Sequence, residues 1–240
     1  MTSPTAYDVA DHYDDAYFAD LAARYRTRNR FARRRIANVF SLVPDVAGLV
    51  LADLGCGMGT FTLEAVARGA FAIGVDPASA AVRAARRVAD AEESRSEAAG
   101  RGAVFVRGDA AMLPLVDGAA DVVLAADLTE HLDDVTLARV LREAVRVLRP
   151  GGRLVLYTPD RQHVFERLRD IGILPQDPSH IGLREGRDLA AAVASAGFTV
   201  TTLRWLPSHV PGLDLVERAL ARRVPLLRRR IGLVAVRPDQ

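Results

Sequence analysis

Short apolar runs alternate along this chain with stretches whose apolar residues recur every three or four positions. Residues 49–52, 70–75, 103–107, 121–125 and 153–158 read as strands, and residues 60–68, 78–90 and 135–148 between them read as helices. Gly69 and the Arg149-Pro150-Gly151-Gly152 run punctuate two of those helix ends. Such alternation predicts a doubly wound parallel sheet, in which ligands gather at the carboxyl ends of the strands. A helix over residues 188–196 and strands over 198–204 and 231–236 extend the pattern. Residues 5–40 read as a helix, with Tyr7, Tyr13, Tyr17, Phe18, Leu21 and Tyr25 at helical spacing. Residues 91–102 are polar and predict a surface loop. The stretch 159–183, with Pro159, Pro175 and Pro178, is too long for a simple connection and predicts a substrate cover.

The chemistry concentrates where the first strand ends. Asp53 and Leu54 lead into Gly55, Gly57 and Gly59 at alternate positions, and a helix begins at Thr60. Glycines there let backbone take positive φ and let a ligand approach helix amides. The dinucleotide fingerprint needs a further glycine where Thr60 stands. A carboxylate at Asp53 repels a pyrophosphate and suits an ammonium or a sulfonium. Asp76 ends the second strand, 21 residues after Gly55, and a carboxylate there can accept from both ribose hydroxyls.

The Asp53-to-Gly59 pattern, D-x-G-x-G-x-G, resembles the first motif of the class I S-adenosylmethionine-dependent methyltransferases, and later stretches follow that family's order over roughly residues 50–200. The resemblance implies a Rossmann-like seven-stranded sheet ending in an antiparallel hairpin, with a helical cap at residues 1–45, a cofactor core at 46–158, a cover at 159–183 and an insertion at 205–230, all in one domain. It places S-adenosylmethionine against Asp53, Gly55, Gly57, Gly59 and Asp76, with Asp109 and the Ala110 amide on the adenine and Asp127 also at the cofactor. An Asx turn or helix cap is the bland alternative for Asp109.

After the fourth strand, Asp127, Glu130 and His131 fall at i, i+3 and i+4, one face of a helical turn, and His180 arrives from the cover. Two carboxylates and an imidazole suit a divalent cation such as Mg²⁺, Mn²⁺, Fe²⁺ or Zn²⁺. The layout resembles the ubiquinone-pathway O-methyltransferases and the small-RNA 3′-end ribose methyltransferases, whose E-x-x-E-H and later histidine hold a metal. Asp127 stands in place of the first glutamate. Without metal, His180 or His131 becomes the candidate general base. His12, His163 and His209 have no constellation around them and read as surface residues.

Composition narrows the classes. The 240 residues carry a formal charge of +2, and all 32 basic residues are arginine, which excludes a lysine Schiff base and a P-loop lysine. The single cysteine, Cys56, excludes an internal disulfide framework and fills a tight turn. No run is long enough to span a bilayer, and the acidic amino terminus lacks the marks of a signal peptide, so a cytoplasmic location is expected. Interspersed acids argue against nucleic acid as partner and for a small-molecule acceptor. Residues 213–230 set Leu213, Val216, Leu220, Val224 and Leu227 among arginines, which reads as a helix covering the sheet or resting on an anionic membrane. The function expected is O-methylation of a catechol, diol or sugar hydroxyl. N- or C-methylation, a cyclisation on the same fold, a non-catalytic module and a nicotinamide dehydrogenase are the alternatives.

Overall fold

The computed structural model describes residues 30–93, 102–207 and 212–239. In chain order the elements are α1 (Arg30–Phe40), β1 (Val50–Leu54), α2 (Thr60–Ala67), β2 (Phe71–Asp76), α3 (Ser79–Glu93), β3 (Ala103–Arg107) and β4 (Ala120–Ala126). A 3-10 turn (Thr129–His131), α4 (Asp134–Val147), β5 (Leu148–Pro159), α5 (Val164–Asp170), α6 (Gly186–Ser195), β6 (Thr199–Leu206), α7 (Leu213–Leu220), a second 3-10 turn (Pro225–Leu227) and β7 (Arg230–Val236) follow. The seven strands lie in the order β3-β2-β1-β4-β5-β7-β6. All pairings are parallel except those of β7, which runs antiparallel to β5 and β6.

Apolar side chains explain both layers. On one face of the sheet, Ile36, Val39 and Phe40 of α1, Phe61 of α2 and the alanine-rich inner side of α3 pack on Leu51, Leu124 and Val155. On the other face, Leu137, Leu141 and Ala144 of α4 and Leu189 and Val193 of α6 cover Leu54, Val123 and Leu156. The small residues Ala81, Ala84 and Ala85, all buried, let α3 approach the sheet closely. Strand order turns back between β1 and β4, so the carboxyl ends of these two strands open a crevice for a ligand.

Three elements depart from the periodicity. β5 begins at Leu148, straight from the end of α4, because Leu148 pairs with Ala120 and the Gly151-Gly152 corner exchanges backbone hydrogen bonds with Arg237. The cover contains a short helix, α5, started by His163. The stretch after β6 is two pieces, α7 and a 3-10 turn at Pro225, and α7 faces the opposite way from a sheet-covering helix: Asp214 and Glu217 are buried, whereas Leu215, Val216 and Leu220 are exposed. Expectations for residues 1–29, including the tyrosines, and for the loop at 94–101 fall outside the described residues. None of the described helices is long and apolar enough to cross a membrane.

Candidate active site

The turn after β1 has the backbone that its glycines require. Gly55, Gly57 and Gly59 all have positive φ, at 68°, 53° and 84°. The Gly55 and Cys56 amides close on the Val75 carbonyl at 2.8 and 3.1 Å, tying the turn to β2. At Gly59 a side chain would also meet the Phe105 ring at 2.8 Å. Cys56 is buried beside Asp53 and Asp76, and burial pushes its thiol well above the usual range, so it packs rather than reacts.

Asp53 is buried at the end of β1 and accepts from the Thr62 hydroxyl at 2.6 Å and the Thr62 backbone amide. Its carboxyl therefore closes the first turn of α2. Burial dominates and raises its pKa to about 7, with Asp76 adding to the rise. Asp76 accepts from the Gly57 amide and the Ala78 amide, each at 2.9 Å, and burial raises its pKa too. Each oxygen keeps a lone pair beyond its backbone bond, enough to receive hydroxyls. Asp109 is exposed, and one of its oxygens receives the Ala111 amide at 2.8 Å in an Asx turn, with Ala110 at the tip.

Glu130, His131 and His180 converge: one ligand atom from each lies within 4.8 Å of the others. The first two come from the 3-10 turn after β4, where Leu128 packs on Gly55 and sets the turn over the glycine loop. His180 comes from the cover, with its ring centroid 5.1 Å from that of His131. Three backbone ties bring the cover there. The Gly182 amide donates to the Glu130 carbonyl at 2.8 Å. The Arg184 guanidinium donates to the Thr129, Gly182 and Leu132 carbonyls at 2.7 to 2.9 Å. His131 Nδ1 stands 3.0 Å from the Ser179 carbonyl oxygen.

That last contact fixes a tautomer. A carbonyl only accepts, so Nδ1 carries the hydrogen and Nε2 keeps its lone pair for a ligand. Burial lowers the His180 pKa, with His131 adding to the fall, which keeps that ring neutral. Glu130 is buried, accepts from the Thr158 hydroxyl at 2.9 Å, and is raised to about 8 by burial and then by Asp127. A cation here would take the place of a proton. Tetrahedral ligands at about 2.0–2.2 Å from one ion stand about 3.4 Å apart, so donors spread over up to 4.8 Å would close on a metal by drawing in up to about 1.4 Å. The donors fit.

Asp127, the fourth expected ligand, is committed elsewhere. One oxygen receives Arg230 Nη1 and the other Arg35 Nη2, both at 2.5 Å. Burial favours its neutral form, but Arg230 and Arg35 outweigh it and hold the carboxyl below the usual range. Two arginine forks leave Asp127 outside the ligand set, which narrows to Glu130, His131 and His180. Its φ of 55°, the one positive value at a non-glycine among the described residues, turns the chain sharply at the end of β4. Asp127 thus acts as a post joining α1, β4 and β7.

His163 corrects a second expectation. It is fully buried: Nδ1 accepts from the Phe165 amide at 3.2 Å, so Nε2 bears the hydrogen facing Glu217 at 3.3 Å. His12 and His209 lie outside the described residues. Sequence reasoning also missed Arg35, Thr158, Arg184 and Arg230. A signal existed for Arg230, because an antiparallel last strand must start at the carboxyl edge of its parallel neighbours.

Residues 52–156 match a family model described as a methyltransferase domain. Residues 52–156 are a methyltransferase domain, on the fold of the class I S-adenosylmethionine-dependent methyltransferases. The 27-O-demethylrifamycin SV methyltransferase of Amycolatopsis mediterranei is 32% identical over 65% of this chain and 60% of its own length. Among solved structures, magnesium protoporphyrin IX methyltransferase from Synechocystis PCC 6803 with bound SAH superposes with a TM-score of 0.70 at 19% identity, over 97% of this chain and 100% of that one. The [4+2]-cyclase SpnF superposes with a TM-score of 0.69 at 19% identity, over 100% and 98%. At those identities the two structures speak for the fold. The chain spans about half the length of the curated relatives it matches, from 38% to 60%.

Proposed function

We propose that this methyltransferase domain moves the methyl group of S-adenosylmethionine to a hydroxyl of a small-molecule acceptor, seated on a divalent cation at Glu130, His131 and His180. The observation that carries the reading is the convergence of these three donors beside the glycine turn. The turn, with Asp76 and Asp109 at the adjoining strand ends, supports a nucleoside, and the family supplies the identity of the cofactor. Methyl transfer is an in-line displacement, so the acceptor oxygen must lie close to the methyl carbon and lose its proton. A divalent cation, when bound, lowers the pKa of a coordinated hydroxyl and fixes its position. His131 Nε2, His180 and a deprotonated Glu130 hold it. Thr158 and the Ser179 carbonyl orient two of those ligands, and Asp127 keeps Arg230 close to Glu130 at 4.0 Å. Catechols, vicinal diols and sugars offer the adjacent oxygens that such a site favours.

A second reading rests on His180, a half-buried imidazole kept neutral and so able to take the acceptor proton without metal. The same fold hosts a [4+2]-cyclase, so release of S-adenosylhomocysteine is the readout that separates transfer from rearrangement. The test is metal analysis of untagged protein and of His131→Ala and His180→Ala, with S-adenosylmethionine binding followed in each. Stoichiometric metal lost in both variants while cofactor binding persists is the expected result. Native protein that takes up none of Mg²⁺, Mn²⁺, Fe²⁺ or Zn²⁺ would sink the metal site and leave His180 as the base.

A further inference from the structure

The orientation of α7 calls for a partner. Asp214, Glu217 and Ala221 point inward, where Asp214 receives Arg34 of α1 at 2.5 Å and Glu217 meets His163 at 3.3 Å. Turning its acids to the protein leaves the apolar residues outside. Leu215 is 68% exposed, Val216 46%, Leu220 40% and Leu226 of the following 3-10 turn 48%. Isolated exposed apolar residues are ordinary, but four on one short segment whose buried side is acidic form a ridge.

Cations flank that ridge. Arg218, Arg222 and Arg223 are exposed and their guanidiniums have no partner among the described residues. Across an open cleft of about 540 Å³ between α1 and α7, Arg30 and Arg33 are in the same state. The acids of α7, Asp214 and Glu217, are buried and engaged, so among the described residues lining the cleft and the ridge no exposed acid offsets the charge. A second copy docked through the same face would set arginines against arginines. Nucleic acid would satisfy the guanidiniums and leave the leucines in water. An anionic bilayer answers both, with acyl chains for the ridge and phosphates for its rim.

We propose that the face built by α7, the 3-10 turn after it and the outer side of α1 docks on an anionic phospholipid surface. The inference stands apart from the methyl-transfer reading, since it concerns binding alone. The full chain is sedimented with phosphatidylcholine vesicles with and without phosphatidylglycerol, alongside a variant combining Arg218→Ser, Arg222→Ser and Arg223→Ser and another combining Leu215→Ser and Leu220→Ser. Binding to the anionic vesicles only, weakened by salt, is expected. The arginine variant should lose on the order of a hundredfold in partitioning, at the increment typical of basic residues near a charged surface, and the leucine variant about tenfold. All of these residues are exposed, so unfolding temperature and S-adenosylmethionine binding should stay at wild-type values. Failure of the full chain to bind anionic vesicles, or equal binding by the arginine variant, would overturn the proposal. So would a concentration-dependent dimer that the leucine variant abolishes, which would assign the face to a second copy.

Discussion

Gly182→Ala is a one-carbon test of how the candidate site is held together. Gly182 lies where the cover crosses the turn bearing Glu130 and His131, and an added methyl would stand 1.9 Å from the Leu132 carbonyl oxygen. Ordinary contact begins at 3.4 Å, so the two backbones must separate by about 1.5 Å, the difference between those distances. Neither side of this contact is a flexible side-chain end. The Gly182 amide would then lose the Glu130 carbonyl, and Arg184 would lose the geometry of its carbonyl bonds. Overpacking of this kind costs about 1–3 kcal/mol, and a lost backbone hydrogen bond about 1 kcal/mol more. We therefore expect a loss of about 2–4 kcal/mol in urea unfolding. The same displacement carries His180 away from Glu130 and His131, so affinity for Mn²⁺ should fall about 10- to 100-fold. Binding of S-adenosylmethionine, for which the glycine turn and Asp76 are the candidate contacts, should stay within about twofold. A variant with wild-type stability and wild-type Mn²⁺ affinity would refute the tight crossing and, with it, the role of the cover in assembling the three donors.

Three further outcomes are expected. The pKa of Asp53 rises from 3.8 to about 7 on folding, so its contribution to stability is full below about pH 4 and declines as pH rises through about 7, by up to about 4 kcal/mol. In ligand-free protein, Asp53→Asn should remove that decline and leave a comparable one from Glu130, raised from 4.5 to about 8; urea midpoints from acid to mildly alkaline pH that match the wild type would contradict it. Arg230→Met should cost about 3–5 kcal/mol, because Asp127 is left buried with one arginine. Asp127 is held below its ordinary value, so its contribution is present at neutral pH and lost on acidification, and the variant should show a shallower acid limb in thermal unfolding. His163→Ala should cost about 2–4 kcal/mol by removing the α5 cap and a partner of buried Glu217, while His163→Asn recovers about 1 kcal/mol through the cap; equal melting temperatures for the two would argue against the cap.

Much of the architecture was legible because apolar period and glycine punctuation act locally. β3 matches its expected limits, and β1, α2, β2 and β4 fall within one or two residues of theirs. The meeting of Glu130 and His131 with His180 was legible through the resemblance and the i, i+3, i+4 placement of Asp127, Glu130 and His131 after β4. The fate of Asp127 was not, since its partners sit 92 residues earlier and 103 residues later in the chain, at Arg35 and Arg230. Long-range ion pairs leave no periodicity. The burial of His163 and the inversion of α7 share one cause: Asp214 found the Arg34 guanidinium and Glu217 the His163 ring inside the protein, and that preference outweighed the apolar spacing of Leu213, Val216 and Leu220. A run such as Arg228-Arg229-Arg230 looks solvated in one dimension, yet the three guanidiniums stack on Trp205, Phe165 and Tyr157.

The grip of Arg184 has a consequence for traffic. A guanidinium that donates to carbonyls on both the cover and the turn beneath it, with only 11% of its side chain exposed, makes residues 179–184 a wall instead of a door. Lifting that wall would break several charge-assisted bonds at once, each worth about 1.5–3 kcal/mol. An acceptor should therefore enter by a route other than this wall. Deuterium uptake would record that wall: the Gly182 amide should exchange as slowly as those of the central strands.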